Sequence, residues 1–440
     1  MSEWERTTIG ELLDKTGGTI KTGPFGTKLK ASEYTNNGVP VISVGEVGFG
    51  RLRIHDKTPR VDKSVWNRMP EFLLKSGDIV FGRKGAVERS AQVQPEENGF
   101  FLGSDGIRIR LNIETCDPKF ISYLLQTETH RTWMIQHAAG TTMPSLNEGI
   151  IRRIPIILPP LPEQKRIAKI LGDLDDKIEL NRQMNATLEA MARALFQSWF
   201  VDFDPVRAKA EGRAPVGMDA ETAKLFPSEF VESELGLIPK GWRVGTIEDV
   251  TSLIIDYRGR TPLKMGSDWS LTGIPAVSAK NVKGGKLVRP DTFNFVSEEL
   301  YERWMKDKLA LGDILMTSEA PLGELYYLAL DASYCLSQRL FALRANPVVC
   351  APIYLYYWLE SPACQSDIVN RGTGTTVEGI RQSELRKVSV PIPPLPMQNV
   401  AAKFLVTWME QIHRNDEQSS SLAKMRNELL PNLLSGVEFL

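Results

Sequence analysis

One proline-rich helix start occurs twice in this chain, and the repetition restricts the fold more than any other feature. The segment LPPLPEQKRIAKILGDLDDKIELNRQ begins at Leu158, and IPPLPMQNVAAKFLVTWMEQIHRNDE begins at Ile392. Gln398 follows its counterpart Gln164 by 234 residues. A repeat whose period is about half the chain predicts two similar folding units in one polypeptide.

Other segments repeat in the same order and at nearly the same spacing. Trp4 near the start of the chain has a counterpart in Trp242. Three longer pairs are 234 or 235 residues apart: VPVISV (39–44) with IPAVSA (274–279), LKSGDIVFGRKG (74–85) with LALGDILMTSEA (309–320), and GTTMPSLNEGIIRRIPI (140–156) with GTTVEGIRQSELRKVSV (374–390). Chance matches between common dipeptides do not keep order and spacing in this way.

Each half reads as a globular α+β domain followed by a long helix. Short apolar runs such as DIVFG and IRIRLNI alternate with Gly, Pro and Asn turns, as strands do. The stretches 118–136 and 351–369 are amphipathic and predict helices. The predicted divisions are a first domain (1–158), a spacer helix (159–200), a linker (201–238) that is either ordered chain or short surface helices, a second domain (239–392) and a second spacer helix (393–434).

The two long helices carry coiled-coil seams. Pro162 suits a first helical turn, and apolar residues then recur at alternating steps of four and three. Both seams become polar in the middle. The predicted seam residues are Leu171, Leu174, Ile178, Asn181, Leu188 and Leu195 in the first helix, and Leu405, Trp408, Ile412, Asn415, Leu422 and Leu429 in the second. Pro431 is expected to end the second helix early.

Connectivity predicts that the two helices run antiparallel, because the first helix delivers the chain to the second domain. A pseudo-twofold axis through the middle of the seam would place Asn181 opposite Asn415, where a polar layer fixes the register. A helix from Glu163 to Phe200 is about 57 Å long at roughly 1.5 Å per residue. Two similar domains on a stiff spacer suit duplex DNA that carries two short sites separated by a fixed gap.

Composition and motifs restrict the function further. The net charge is −1, and 42% of the residues are hydrophobic, as in ordinary soluble proteins. Four cysteines without a CxxC pair, and no signal-peptide or membrane-span pattern, favour a reducing cytoplasm. The sequence contains no phosphate-binding GxxxxGK[ST], no zinc-binding HExxH and no [DN]PP[YF] adenine-methyltransferase motif. We therefore expect a chain without catalytic residues, metal or cofactor.

Lysine and arginine supply the contacts that DNA phosphates and guanine edges require. The densest basic stretch is RLRIHDKTPRVDKSVWNR, residues 51–68, and other cations follow glycine-rich turns. The predicted DNA-binding residues are Lys28, Lys30, Arg51, Arg53, Lys57, Arg60, Arg83, Lys84 and Arg89 in the first half, and Arg258, Arg260, Lys280, Lys283, Lys286 and Arg371 in the second.

The chain resembles the specificity subunits of Type I restriction–modification systems. PLPEQKRIAKILGDLDDKIELNR, ALFQSWFVDFDPV, LGLIPKGW, the second IPPLPMQ, GDIVFGRKGAVERS and RGTGTTVEGIRQSEL carry the resemblance, which covers essentially the whole chain. It implies two target recognition domains, each reading half of a bipartite sequence in double-stranded DNA. It also implies a pseudo-twofold tandem repeat whose helices form an antiparallel spacer.

The same resemblance implies partner proteins that perform the chemistry. Two adenine-specific methyltransferase subunits, using S-adenosylmethionine, would dock on the helices, and restriction subunits, using ATP with magnesium, would join that core. The second copy departs from the first where PEQKRI becomes PMQNVA, so the two docking surfaces are not identical.

Two other classes of function are compatible with the residues alone. One is a structural adaptor that holds two partner proteins and does not bind DNA. The other is a tandem enzyme with an unfamiliar active site. Salt-dependent affinity for duplex DNA separates the first from a DNA reader, and turnover by the isolated chain would identify the second.

Overall fold

The computed structural model describes residues 4–26, 28–140, 142–374 and 378–434. It consists of two compact units, Met1–Leu180 with Gln418–Leu440, and Asn181–Glu417. Both boundaries fall inside the long helices. Each unit therefore comprises one globular part together with a portion of both helices.

The first unit is a mixed α+β structure. Its strands are β1 (Glu5–Thr8), β2 (Thr19–Thr22), β3 (Tyr34–Thr35), β4 (Val39–Ile42), β5 (Arg60–Val61), β6 (Ile79–Gly82), β7 (Ser90–Gln92), β8 (Phe101–Leu102), β9 (Gly106–Arg110) and β10 (Pro155–Leu158). Its helices are α1 (Ile9–Thr16), α2 (Lys63–Arg68), α3 (Pro118–Gln126), α4 (Glu128–His137), α5 (Glu148–Arg152) and the beginning of α6 (Leu161–Phe196).

A four-stranded antiparallel sheet with the order β2-β9-β6-β7 lies at the centre of the first unit. Side chains alternate across β6, because successive residues of a strand point to opposite faces. Ile79 and Phe81 enter the core formed with helices α1, α3 and α5. Val80 enters a second core beneath the sheet β3-β5-β4-β8. Asp78, before the strand, accepts two hydrogen bonds from the guanidinium of Arg110, at 2.6 and 2.7 Å.

The second unit repeats these elements. Its strands are β11 (Phe230–Ser233), β12 (Gly236–Pro239), β13 (Arg243–Thr246), β14 (Thr251–Asp256), β15 (Ile274–Val277), β16 (Val282–Lys283), β17 (Lys286–Leu287), β18 (Asn294–Val296), β19 (Ile314–Ser318), β20 (Leu322–Tyr327), β21 (Cys335–Leu336), β22 (Leu340–Ala345) and β23 (Ser389–Ile392). Its helices are α7 (Asp204–Ala210), α8 (Ala220–Lys224), α9 (Ile247–Val250), α10 (Glu298–Trp304), α11 (Pro352–Glu360), α12 (Pro362–Asn370), α13 (Gln382–Leu385) and most of α14 (Leu395–Leu434).

The sheets of the two units have the same topology. The order β14-β22-β19-β20 matches β2-β9-β6-β7, and the parallel pair β15-β21 matches β4-β8. The buried pair recurs as well, because the Arg344 guanidinium donates to both carboxylate oxygens of Asp313, at 2.9 and 2.8 Å. The predicted tandem repeat of α+β domains is confirmed.

The segment between the first long helix and the second domain forms short helices and a hairpin, and a few of its apolar side chains are buried. Helix α6 continues as one π-helical turn, Gln197–Val201, before α7, α8 and the β11–β12 hairpin. Val206, Phe226 and Ile238 are buried in the main core of the second unit. These apolar side chains anchor the segment to that core, while most of its other residues are half-buried or exposed.

The repeated glutamine explains why the proline-rich helix start occurs twice. Gln164 is buried, its side-chain oxygen accepts from the Asp117 backbone N–H at 2.9 Å, and its amide donates to the Pro159 carbonyl at 2.8 Å. Each repeat therefore uses one buried amide to join the start of a long helix to the N-terminus of the domain helix beside it.

Gln398 makes the equivalent contacts in the second unit. It accepts from the Ala351 N–H at 2.9 Å and donates to the carbonyls of Val349 and Pro393, at 3.1 and 2.8 Å. Its side chain is fully buried, and Ala351 caps the N-terminus of α11.

The first unit contains the beginning of α6 and the end of α14. Leu171 of α6 is fully buried in the core, and Leu429, Leu430 and Leu433 of α14 pack against that core. The other predicted seam residues in this unit are half-buried: Leu174, Ile178 and Leu422.

Helix α14 extends to Leu434 with Pro431 inside it. The prediction that Pro431 ends the helix early is wrong. This proline lies in the last turn, where its missing N–H removes a single hydrogen bond. Leu434 is buried in the first unit's core and stabilises the turn beyond the proline.

A polar layer occupies the middle of the seam in the second unit. The Asn181 amide donates to the Asn415 carbonyl at 3.3 Å, and the Asn415 amide donates to the side-chain oxygen of Asn185 at 2.8 Å. Asn185 also donates to the Ile412 carbonyl and to a carboxylate oxygen of Asp416, at 3.2 and 2.8 Å. Asn181 contacts Asn415, whereas Asn185, which comes later in α6, contacts Ile412, which comes earlier in α14. The two helices are therefore antiparallel here.

Apolar residues flank this layer. Leu405 and Ile412 are buried, whereas Leu188, Leu195 and Trp408 are half-buried. Because a buried amide needs specific partners, the layer fixes the register that leucines alone would leave ambiguous.

Candidate nucleic-acid interface

A set of loops joined by backbone hydrogen bonds lies at one edge of the central sheet in the first unit. The Arg83 N–H, just after β6, donates to the Asp105 carbonyl at 2.9 Å, in the turn before β9. The Arg83 carbonyl accepts from the Leu146 N–H at 2.8 Å, and Lys84 forms a β-bridge with Ser145. We call these residues the first loop edge.

The second unit has the same loops with the same hydrogen bonds. The Ser318 N–H, at the end of β19, donates to the Arg339 carbonyl at 2.9 Å. The Ser318 carbonyl accepts from Ile380 at 2.9 Å, and Glu319 forms a β-bridge with Gly379. We call these residues the second loop edge. Backbone pairing therefore makes the two loop edges equivalent position by position, independently of side-chain identity.

The side chains at equivalent positions have opposite charges. In the first loop edge the Lys84 ammonium lies 3.6 Å from a carboxylate oxygen of Asp105. In the second, Glu319 occupies the position of Lys84 and Arg339 that of Asp105, with 3.0 Å between their nearest N and O atoms. These side chains are 36% to 54% exposed, so they can reach a ligand on the surface.

Each loop edge also contains a half-buried arginine with an aromatic ring. The Arg83 guanidinium lies 4.3 Å from the ring centroid of Phe25, which is 52% exposed. In the second unit the Arg258 guanidinium lies 4.0 Å from the Phe341 ring and donates to both carboxylate oxygens of Asp256, each at 2.9 Å. Such stacking holds the guanidinium plane in one orientation.

The second loop edge surrounds an open, polar cleft of about 540 Å³. The charged side chains that line it are three arginines and two carboxylates: Arg258, Arg339, Arg381, Asp256 and Glu319. A polar cleft with forked donors suits an anionic, hydrogen-bonding surface better than an apolar small molecule.

Arg51, one of the predicted DNA-binding residues, faces the first long helix. It lies on a tight glycine hairpin that a bridge between Val47 and Leu52 closes, and its guanidinium contacts a carboxylate oxygen of Asp176 at 2.8 Å. Nearby, the hydroxyl of Tyr123 donates to Asp175 at 2.7 Å. Burial and that carboxylate raise the pKa of Tyr123, so the phenol stays a proton donor.

Lys286, also predicted to contact DNA, is the counterpart of Arg51 in the second unit. It lies on the Gly-Gly hairpin between β16 and β17, and its ammonium contacts Asp416 at 3.2 Å and Glu189 at 3.6 Å. Burial lowers the pKa of the neighbouring His413 to about 4, and Lys286 adds to that effect while Asp416 opposes it. The imidazole stacks on Tyr326, with 5.2 Å between centroids.

The other predicted cations of the first unit lie on three segments. Lys28 and Lys30 are exposed on the loop that follows β2 and Phe25. Arg53 and Lys57 are exposed, whereas the half-buried Arg60 donates to the Gly38 carbonyl at 2.9 Å.

Arg89 lies near the Arg51 hairpin. Its guanidinium is 5.8 Å from the ring centroid of Phe49. The guanidinium of Arg131 lies 4.3 Å from the same centroid.

The remaining predicted cations of the second unit are divided between surface and internal positions. Lys280 and Lys283 are exposed. Arg260 donates to the Trp304 carbonyl at 2.6 Å, which gives it an internal contact. Arg371, at the end of α12, forms an ion pair of 2.8 Å with Asp367.

The sequence interpretation missed Asp105, Glu319, Arg339 and Arg381. It searched for clusters of positive charge, and none of these residues belongs to one. Alignment of the two repeats would have identified the first three, because it brings opposite charges to the same two positions.

The residues that the structure describes contain no group of three or more His, Cys, Asp or Glu side chains that could hold a metal ion. The cysteines are buried and unpaired, and burial raises the pKa of Cys116 and of Cys335 to about 12. Among the described helices, none is both long and apolar enough to cross a membrane.

Comparison with known proteins identifies a family. Residues 1–190 and 239–420 match the family model described as the Type I restriction modification DNA specificity domain. The chain is 27% identical over 408 residues to the specificity subunit of the Type I restriction enzyme HindI of Haemophilus influenzae, covering 82% of this chain and 87% of that protein. It is 23% identical over 410 residues to the putative MjaX specificity subunit of Methanocaldococcus jannaschii, covering 91% and 87%.

A solved structure shares the fold. The crystal structure of the Type I restriction–modification S subunit from M. genitalium aligns over 98% of this chain and 96% of its own, with a TM-score of 0.63. At 17% identity the agreement concerns the arrangement of elements alone.

Proposed function

The chain belongs to the family of Type I restriction–modification DNA specificity proteins, and on that premise we propose that its two loop edges read two halves of a split target in double-stranded DNA. The observation that carries the proposal is the presence of the same loop edge, with the same backbone hydrogen bonds, in both units. Two equivalent reading surfaces suit a target with two parts.

Protein–DNA recognition combines phosphate contacts, which position the protein, with contacts to base edges, which specify the sequence. Arg83 and Arg381 offer forked donors, whereas the Arg258 fork is engaged by Asp256. Lys28 and Lys30 are exposed cations on the loop beside Phe25. We assign Arg51 and Lys286 to a different task. Their ion pairs with helix carboxylates join each recognition domain to its spacer helix and so orient the loop edge.

Apolar side chains exposed on the long helices support partner docking. Leu180 and Met191 of α6 and Phe404 and Met425 of α14 are 46% to 52% exposed. Met425 follows Met191 by 234 residues, so one exposed methionine recurs in the repeat. The Phe404 ring lies 6.0 Å from Trp408 and enlarges the patch. These patches suit two methyltransferase subunits, one for each repeat.

The chemistry in this proposal belongs to the partners. The methyltransferase subunits would bind S-adenosylmethionine and methylate adenine, and restriction subunits, where present, would use ATP with magnesium. This chain would contribute binding energy, orientation and sequence discrimination, and no covalent step.

A binding experiment tests the proposal. The complex with its methyltransferase partner is mixed with labelled duplexes, and affinity is measured from low to physiological salt. For a DNA reader, the logarithm of the binding constant should fall linearly with the logarithm of salt concentration, because phosphate contacts release counterions. An affinity that is absent, or independent of salt, would contradict the proposal.

A domain exchange tests the two-part target. Replacing residues 1–158 with the corresponding domain of a relative should change one half of the preferred sequence. The other half should persist. Changes in both halves, or in neither, would contradict the assignment of one half to each unit.

A further inference from the structure

The two loop edges differ by an exchange of charge. Lys84 and Asp105 form the pair in the first unit, and Glu319 and Arg339 form it in the second with the signs reversed. We propose that each pair is a specificity-determining contact that reads one base pair, and that the two units read G·C pairs of opposite orientation. This inference rests on the proposed function and deepens it.

The exchange concerns the side chains, because the backbone hydrogen bonds around it are the same in both units. The carbonyls of Asp105 and Arg339 accept from equivalent N–H groups, both at 2.9 Å. Lys84 and Glu319 both form a β-bridge, to Ser145 before α5 and to Gly379 before α13 respectively. A ligand that approaches either edge in the same way therefore meets a cation and a carboxylate in exchanged places.

Structural stability does not explain the exchange. Ion pairs between exposed side chains contribute little, since water and salt screen them. The backbone of Arg339 has φ of 62°, in the left-handed region that a long side chain rarely adopts. Residues held in that region occur preferentially where a side chain must be presented for function. Arg339 also lines the cleft of the second loop edge, with its side chain 54% exposed.

The hydrogen-bonding groups of the bases indicate what the cation and the carboxylate can recognise. In the major groove guanine presents two acceptors, N7 and O6, and cytosine presents one donor, the N4 amino group. A lysine or arginine donates to guanine, and a carboxylate accepts from cytosine. A cation and a carboxylate held next to each other therefore complement the two edges of one G·C pair.

The positions of the charges then decide the orientation. In the first unit the cation, Lys84, follows β6 and the carboxylate, Asp105, precedes β9. In the second unit the carboxylate, Glu319, follows β19 and the cation, Arg339, precedes β22. If both edges meet DNA in the same way, guanine lies on opposite strands relative to the two units.

An exchange of the pair tests this reading. In the first unit Lys84→Asp is combined with Asp105→Lys, which preserves the net charge and the ion pair. Wild type and variant are expressed with the methyltransferase partner in a host free of adenine methylation, and methylated motifs are mapped by long-read sequencing. The variant should replace one G·C pair with C·G in a single half of the motif. Methylation of the original motif should fall at least about tenfold.

Two results would overturn the inference. One is an unchanged motif at wild-type levels of methylation. The other is an even loss of methylation across all sequences, which would identify the pair as a phosphate contact. The matched control exchanges Glu5 and Lys15, an exposed ion pair of 2.9 Å in the same unit, and should leave the motif unchanged.

Two further variants keep the test decisive. In the second unit Glu319→Arg with Arg339→Glu should alter only the other half of the motif. If the first exchange variant has lost its thermal unfolding transition, Asp105→Asn takes its place and should relax discrimination at one base pair. Undiminished discrimination by Asp105→Asn would overturn the inference. A wild-type complex that methylates no split motif would refute the proposed function itself, whereas a split motif that ignores these variants refutes only this inference.

Discussion

The buried glutamines at the two helix starts allow a quantitative test of the repeat. Gln164 satisfies two backbone groups, the Asp117 N–H and the Pro159 carbonyl. Gln398 satisfies three, the Ala351 N–H and the carbonyls of Val349 and Pro393. Substitution of either glutamine by methionine keeps the approximate side-chain shape and leaves those groups buried without the amide.

The expected losses follow from the number of groups. Each buried backbone group left without a partner costs about 1–3 kcal/mol. Gln164→Met should therefore lower the free energy of local opening by about 3 kcal/mol, and Gln398→Met by about 4 kcal/mol. The first unit should therefore lose less local stability than the second, although the two glutamines occupy equivalent positions.

Native-state hydrogen exchange measures the free energy of local opening in each unit separately, whereas one denaturation curve would merge two compact units. Amides at the start of α3 should lose about a hundredfold protection in Gln164→Met, since about 1.4 kcal/mol corresponds to tenfold. Amides at the start of α11 should lose nearly a thousandfold protection in Gln398→Met, because about 4 kcal/mol is lost there. Gln136→Met, at an exposed position of α4, is the control and should change little. Protection within threefold of wild type in both variants would refute the assigned role.

Three further predictions address orientation, docking and pH. Arg51→Asp should lower DNA affinity and Asp176→Arg should rescue it, because the pair orients a loop edge; failure of rescue would contradict this. Phe404→Asp should weaken methyltransferase binding at least about tenfold in pull-down titrations, while Leu263→Asp, 85% exposed elsewhere in the unit, should not. Because burial depresses the pKa of His413 to about 4, the stability of the second unit should decline as pH falls from about 6.5 towards 4. His413→Gln should flatten that decline when native-state hydrogen exchange of the second unit's amides is measured.

The sign of the pH effect follows from proton linkage. An unfolded histidine takes up a proton near pH 6.5, whereas His413 in the folded unit does so only near pH 4. Between those values the unfolded state binds more protons, so acid favours unfolding. A His413→Gln variant whose stability falls as steeply as that of the wild type over this range would contradict the assignment.

The fold was predictable because a repeat constrains a sequence at two places at once. The offset of 234 or 235 residues predicted two similar α+β domains and two long helices, and both predictions are confirmed. The polar positions Asn181 and Asn415 predicted a register, and the hydrogen bond between them lies in the described seam. Pro431 was misjudged because packing beyond it stabilises a turn that local propensity disfavours.

The candidate site was less predictable because charge density does not reveal where a side chain points. Arg51 belongs to the densest basic stretch, yet its guanidinium faces a helix carboxylate. Arg339 belongs to no cluster, yet it lines the cleft of the second loop edge. Contacts between loops far apart in sequence place these groups, and only the fold brings such loops together. Which cations contact DNA stays a prediction that the variants above test.

The central claim, that this chain determines which DNA sequence is methylated, has one direct test. Adenine methylation of host DNA is mapped by long-read sequencing with and without the gene for this chain, while the methyltransferase gene is left intact. We predict that one split, two-part motif loses its methylation when the gene is deleted and regains it on complementation. Persistence of every methylated motif after deletion, in cells shown to have expressed the chain beforehand, would show that the chain does not determine the methylated sequence.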